Sequence, residues 1–250
     1  MRFVVATLTI LLAGPSWAAS AIVRDGGTID IGGVTYRLDG IDAPAVDQTC
    51  IDEHADSFAC GVAARDRLSK MIADRNVTCE DLGPDATFKP RRAGLCTIDG
   101  DKDTLNRQLV RQGYAVSAEP SAKGRFKADE ATARDARQGL WSGCFVAPQD
   151  FRRWTRTAAL LGASCRSDKD KELRAALFPD EPVMPPGCSI KGKYSARARM
   201  TGHVGIFHMQ GCRSYASLAR LERWFCSAED AQAAGFRKAF NCLGSSRRRP

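Results

Sequence analysis

Ten cysteines give this 250-residue chain its widest choice of chemistry. They stand at positions 50, 60, 79, 96, 144, 165, 188, 212, 226 and 242. A cysteine side chain acts as a nucleophile beside a histidine, ligates zinc as a thiolate, or pairs in a disulfide. In the first 150 residues the one histidine is His54. This pattern disfavours a cysteine nucleophile and leaves zinc binding or disulfides.

Four residues near the C-terminus are chemically suitable zinc ligands: Cys188, His208, Cys212 and Cys226. The alternative is two disulfides and a packed histidine. The segment has no close Cys-x-x-Cys pair, which is the usual spacing in small zinc modules.

The N-terminus has the layout of a cleavable signal peptide. A single basic residue, Arg2, precedes the apolar run Phe3–Leu12, and the small residues Ser16 and Ala18 follow. The run is too short to span a bilayer as a helix. We expect residues 1–18 to be removed after Ala18, no later membrane span, and a periplasmic or secreted mature protein.

An exported chain meets an oxidising compartment, which favours disulfides over free thiols. Cys50 and Cys60 flank one short loop, and Cys79 and Cys96 lie on what should be neighbouring strands. Both pairs are reasonable bridges, and Cys144 with Cys165 could clamp the start of the next segment. The sequence alone does not fix the connectivity of ten cysteines.

The formal net charge is +8 at pH 7, a balance that favours polyanionic partners such as nucleic acid or an anionic envelope surface. A basic solvated surface would give the same charge. The composition, 44% hydrophobic and 26% charged, is that of an ordinary globular chain and excludes no function class.

The elements that would position a site follow from β-rich runs, turns and helical periodicity. We expect strands at residues 21–24, 28–31, 34–38, 76–81 and 93–98. Helices are expected at about residues 56–74, 103–112 and 126–138. Five short strands interrupted by a helix suit a small barrel.

Four ordered segments resemble the successive signatures of the thermonuclease (micrococcal nuclease-like) family. They are Val23–Thr28, Tyr36–Pro44, Asp103–Gly113 and Glu130–Trp141. The resemblance implies an α+β fold for residues 21–146, a five-stranded OB barrel with three helices. The family's activity is calcium-dependent hydrolysis of phosphodiesters in DNA or RNA, so the resemblance also implies a nucleic-acid partner.

The resemblance also implies roles for particular residues. Arg37 matches an arginine that stabilises charge on the phosphoryl oxygens, and Asp42 matches a calcium ligand, with the backbone carbonyl of Ala43 as a second oxygen. The second catalytic arginine falls at Arg91, with Arg92 as the alternative. Lys89 and Arg92 are candidates for substrate binding.

Two departures weaken the expected catalysis. Gly27 stands where the family has a metal-ligating aspartate, and Ala45 where it has the glutamate that orients the attacking water. Neither side chain can replace a carboxylate. We do not expect Asp30, Asp39 or Asp47 to compensate, because catalytic geometry tolerates about half an ångström.

Beyond the first domain we expect a helical, proline-containing linker at residues 147–186, a small module at 187–242 and a basic tail at 243–250. The module resembles a cysteine-containing α+β unit found fused to exported thermonuclease-like proteins.

Three hypotheses follow: a nuclease with weak or lost hydrolysis, a noncatalytic nucleic-acid-binding OB module, and an envelope interaction protein. The first predicts metal-dependent cleavage, the second predicts salt-sensitive binding without cleavage, and the third predicts neither.

Overall fold

The computed structural model describes residues 21–118, 124–218 and 220–242. The predicted signal peptide, residues 1–18, and the basic tail, residues 243–250, lie outside the described residues.

The first domain, residues 21–146, alternates short strands with three helices. Its strands are β1 (Ile22–Asp25), β2 (Thr28–Ile31), β3 (Val34–Leu38), β4 (Ile41–Asp42), β5 (Cys50–Ile51), β6 (Ser57–Phe58), β7 (Val77–Pro84), β8 (Arg92–Ile98), β9 (Val116–Ser117) and β10 (Phe145–Val146). Its helices are α1 (Cys60–Ile72), α2 (Leu105–Arg111) and α3 (Lys127–Asp135). The described part of this domain therefore contains the five expected strands, of which β2 and β3 have the expected bounds, and the three expected helices with shifted ends.

Five of these strands form one sheet in the order β1-β2-β3-β8-β7. Neighbouring strands are antiparallel except β3 and β8, which are parallel. The sheet is open. The resemblance implies a closed barrel, and this expectation is wrong for the described residues. Edge strand β1 packs against α1, and the other edge, β7, is largely exposed, so the two edges do not pair among the described residues.

The domain core forms where the sheet meets the helices. Its largest cluster of buried side chains comprises Ile29, Leu38, Ile41, Leu68, Met71, Ile72, Val77, Cys96, Ile98, Leu105, Leu109, Val110, Ala115 and Phe126. Leu38 and Ile41 belong to this cluster. Asp42 is the next residue after Ile41. A packed core thus holds the loop that carries the candidate site.

A glycine in α1 fixes the other side of that loop. A Cβ atom at Gly61 would lie 1.7 Å from the carbonyl oxygen of Ala45, which no other residue could accommodate. The start of α1 therefore presses directly against the loop that contains Ala45.

Residues 147–186 contain α4 (Pro148–Arg152), β11 (Leu160–Leu161) and α5 (Asp170–Leu177). The sequence suggests a linker here, but β11 pairs with β10, and a buried apolar cluster joins the segment to the first domain. That cluster comprises Ile51, Cys144, Val146, Phe151, Leu173, Leu177 and Phe178. Much of the segment is packed structure and not a free tether.

The C-terminal module, residues 187–242, is a small α+β unit. It contains β12 (Ile190–Tyr194), α6 (Ala196–Arg199), β13 (Gly205–His208), β14 (Arg223–Phe225), α7 (Ala228–Ala233) and β15 (Phe236–Lys238). Its sheet has the order β14-β12-β13-β15, with β13 and β15 parallel. Its buried core comprises Ile190, Phe207, Phe225, Ala231 and Phe236.

All ten cysteines are paired in disulfides. The bridges join Cys50 to Cys60, Cys79 to Cys96, Cys144 to Cys165, Cys188 to Cys226, and Cys212 to Cys242. The first three pairings confirm those favoured from the sequence. None of the helices described is long and apolar enough to cross a membrane.

Candidate functional site

A cleft of about 830 Å³ lies between the first domain and the C-terminal module. The three residues that the sequence places at a catalytic centre, Arg37, Asp42 and Arg91, all line it. Arg37 extends from β3, Asp42 ends β4, and Arg91 directly precedes β8. Because β3 and β8 are paired neighbours, residues far apart in sequence meet at one end of the sheet.

Asp42 is buried and bound to an arginine that the sequence does not single out. Arg152, at the end of α4, donates from Nη2 to Asp42 Oδ1 at 2.5 Å and from Nη1 to the Ala43 carbonyl oxygen at 3.4 Å. These are the two oxygens that the resemblance assigns to calcium. The guanidinium therefore takes up the donors that a metal ion would use.

The other carboxylates that could rebuild a metal site are also engaged. Asp30 accepts from Arg24 at 2.7 Å, and Asp39 lies 3.4 Å from Arg125.

Across the described part of the chain, no three His, Cys, Asp or Glu side chains are grouped to hold a metal ion. The donors of this cleft do not fit the calcium ion that the resemblance implies.

Arg91 is 6% exposed and faces two carboxylates of the C-terminal module. Its Nη2 lies 2.8 Å from Asp230 Oδ1, and its Nε lies 3.4 Å from Glu229 Oε1. Glu229 also pairs with Arg24 of β1. The guanidinium of this candidate phosphate-binding arginine is thus paired with acidic side chains of α7.

The alternative arginine lies elsewhere. Arg92 pairs with Asp81 across the β7–β8 ladder at 2.8 Å and does not line the cleft. Lys89 is exposed in the loop before it. The structure therefore places Arg91, and not Arg92, at the candidate site.

Asp47 anchors the module to the cleft. Arg223, the first residue of β14, donates from Nε and Nη2 to the two carboxylate oxygens of Asp47 at 2.7 and 2.8 Å. The Trp224 backbone N–H adds a third bond at 2.8 Å. Asp47 is therefore held in a structural ion pair and is not free to act as a base.

Burial raises the pKa of Asp230, and the negative charge of Asp25 raises it further. The cleft thus holds a carboxylate whose charge its surroundings disfavour, despite the neighbouring Arg91.

Comparison with known proteins finds a similarity that covers most of the first domain. Residues 35–143 match the family described as "Staphylococcal nuclease homologue". We call residues 35–143 the nuclease-homologue domain after this similarity. This nuclease-homologue domain includes Arg37, Asp42, Ala45 and Arg91, while Arg152 and the C-terminal module lie outside the match.

A related protein is "Succinoglycan biosynthesis protein ExoI" of Rhizobium meliloti (strain 1021). The two are 34% identical over 122 residues, which is 48% of this chain. The matched region spans 62% of the length of that relative.

The zinc candidates lie in the C-terminal module, apart from the nuclease-homologue domain. Cys188 is bonded to Cys226, and Cys212 is bonded to Cys242, so their sulfurs carry no thiolate. His208 is buried, and its Nδ1 lies 3.0 Å from Ser214 Oγ. This is the arrangement of two disulfides and a packed histidine, and a zinc site of these residues would need both bridges reduced.

We expect His208 to make the protein less stable as the pH falls. Burial and the charge of Lys191 lower the pKa of His208 below its ordinary value of 6.5. The unfolded chain therefore binds a proton first, and stability declines from about pH 6.5 down to the lowered folded pKa, by at most about 1.4 kcal/mol per pH unit.

Urea unfolding at pH 7.5 and 5.5 measures this decline. His208→Gln should show a smaller difference than the natural sequence, and His54→Gln, at an exposed position, should not. Equal pH dependence in both variants would contradict the prediction.

Proposed function

We propose that this chain is an exported protein that binds single-stranded nucleic acid through its cleft without calcium and without hydrolysing it. The observation that carries the proposal is the contact of Arg152 with Asp42 and the Ala43 carbonyl. Together with Gly27 and Ala45, this contact removes the metal, one metal ligand and the general base from the nuclease chemistry.

The cleft still has the chemistry of a polyanion-binding groove. Arg37 makes one 3.4 Å contact with the Ile41 carbonyl, and among the described residues no carboxylate pairs with it. Arg152 and Arg153 also line the cleft. Arginine recognises phosphate through paired N–H groups and needs no metal to do so.

The OB fold is a suitable scaffold for this binding. In OB-fold proteins a sheet face and its adjoining loops bind oligonucleotides, and the cleft of this chain is lined by residues of β2, β3 and the loop after β4. Five disulfides support a periplasmic or secreted location.

We test the proposal by fluorescence anisotropy with a labelled twelve-nucleotide single-stranded DNA. Binding should weaken steeply as salt rises, because phosphate contacts release counterions, and should be equal in calcium and in chelator. Electrophoresis of the same samples should show intact DNA. Chelator-sensitive cleavage would instead establish an active nuclease.

Arg37→Ala tests the groove itself. Loss of one charged contact should weaken binding about tenfold. Lys171→Ala removes the same charge from an exposed position on α5 and should leave the affinity within about twofold. Equal effects of the two variants would mean that net charge, and not the cleft, attracts DNA.

A role in envelope polysaccharide production is a second candidate. It rests on the relative, a succinoglycan biosynthesis protein, and on a cleft whose arginines would also bind the carboxylates of an acidic polysaccharide. Competition of polygalacturonate against the labelled DNA distinguishes the two, because tighter binding of the polysaccharide would favour this role.

A further inference from the structure

We infer that Glu229 and Asp230 of α7 are internal phosphate mimics that compete with a polyanion for Arg24 and Arg91. This inference deepens the proposed function and rests on it, since it concerns the regulation of the same cleft. It assigns the C-terminal module a role in limiting the affinity of the site.

The geometry at Arg91 is that of an occupied oxyanion site. One edge of its guanidinium, Nε and Nη2, faces an oxygen of Glu229 and an oxygen of Asp230. Two oxygens along one edge of a guanidinium are what a phosphate group presents in a bidentate contact. The two carboxylates therefore stand in for two phosphoryl oxygens.

Glu229 extends the mimicry to a second arginine. One of its carboxylate oxygens contacts Arg24 on β1, while the other contacts Arg91 before β8. The two arginines come from separate strands of the first domain's sheet, or from the residue just before one, and are joined by a single carboxylate. A phosphodiester could bridge them in the same way through its two unesterified oxygens.

Asp230 is held in place for this contact by its own helix. Ser227 caps α7, accepting from the Asp230 backbone N–H at 3.0 Å and donating from its hydroxyl to Asp230 Oδ2 at 2.7 Å. This leaves Oδ1 directed at Arg91. The carboxylate is presented to the arginine with little freedom, which strengthens the internal competitor.

The module stays docked when α7 releases the arginines, because other contacts hold it. Arg223 is paired with Asp47, and the Tyr194 hydroxyl donates to the Arg152 carbonyl at 2.6 Å. Both contacts lie outside α7. Competition is therefore a local exchange of side-chain partners and does not require the module to leave.

The test compares Glu229→Gln/Asp230→Asn with a matched variant, Glu53→Gln/Asp135→Asn, which removes two charges from exposed positions outside the cleft. We measure binding of the single-stranded DNA and, separately, of inorganic tripolyphosphate. The α7 variant should bind both about tenfold more tightly than the matched variant at low salt.

Binding of tripolyphosphate distinguishes a failure of the phosphate mimicry from a failure of the proposed nucleic-acid binding. If only tripolyphosphate binds, and binds more tightly to the α7 variant, the mimicry holds and nucleic acid is the wrong ligand. If the α7 variant gains affinity for neither probe over the matched variant, the mimicry is overturned, even where the natural sequence binds DNA.

Two controls test whether the α7 variant is correctly folded. Circular dichroism and thermal unfolding compare it with the natural sequence. Glu229→Gln alone leaves the Ser227–Asp230 cap intact and should retain part of the gain, so a capping defect cannot be mistaken for the absence of competition.

Discussion

Replacing Asp47 by alanine should lower the free energy of unfolding by about 3–5 kcal/mol, because it leaves Arg223 charged and buried without its partner. The two side chains are 1% and 2% exposed. Burial opposes the charge on Arg223, yet the Asp47 carboxylate raises its pKa above the ordinary value. One guanidinium nitrogen, Nη1, already has no hydrogen-bond partner among the described residues, so little is available to replace the lost bonds.

The loss should be concentrated where the module meets the nuclease-homologue domain. The Arg223 guanidinium packs between the rings of Phe151, in α4, and Phe225, in β14. It therefore links the first domain, the middle segment and the module. Hydrogen exchange of the backbone amides in β14 should accelerate in Asp47→Ala, together with a lower urea midpoint measured with all disulfides intact.

A second variant tests whether the stability loss comes from the unpaired charge of Arg223. Asp47→Leu/Arg223→Met removes both charges and should recover most of the stability, as expected when a buried pair is replaced by apolar groups of similar volume. An Asp47→Ala effect below about 1 kcal/mol would mean that water reaches Arg223 and that the pair is not the anchor described above.

Local patterns allow the fold of the first domain to be predicted well. The β-rich runs at 28–31 and 34–38 form strands with the expected bounds, because a short turn and alternating burial specify them locally. Sheet closure is not local. Whether β1 pairs with β7 depends on how α1 packs, and no short stretch of sequence encodes that contact.

The candidate site could be predicted only in part. Arg37, Asp42 and Arg91 stand in recognisable segments, and the structure brings them to one cleft. Arg152 has no such signal, since it lies in an ordinary charged stretch 110 residues beyond Asp42. The module residues that reach the cleft, Arg223 and Asp230, lie in a segment whose packing partner the sequence does not reveal.

The ion pairs at the cleft are electrostatically consistent with the proposed function. With Gly at position 27, Asp42 has no neighbouring carboxylate there with which to share a divalent cation, and the single positive charge of Arg152 suits this one carboxylate. Glu229 and Asp230 balance the positive charges of Arg24 and Arg91, which would otherwise repel each other.

We expect calcium-dependent cleavage to appear only when Arg152 is replaced together with Gly27 and Ala45. The starting variant is Gly27→Asp/Ala45→Glu in the Glu229→Gln/Asp230→Asn background, which restores the two carboxylates and frees Arg91. A Cβ at Gly27 would meet nothing closer than Ala43 Cβ at 3.5 Å, which is ordinary van der Waals contact. Adding Arg152→Ala should raise calcium-dependent cleavage of single-stranded DNA on the order of 100-fold or more.

The comparison isolates one contact, because the two variants differ only at Arg152. With Arg152 present, its guanidinium still holds Asp42 Oδ1 and the Ala43 carbonyl, and calcium cannot use either oxygen. Calorimetric titration with calcium alone should therefore give binding only to the variant that carries Arg152→Ala. Equal cleavage and equal calcium binding by both variants would show that calcium displaces Arg152 from Asp42, and would contradict the proposed role of this arginine.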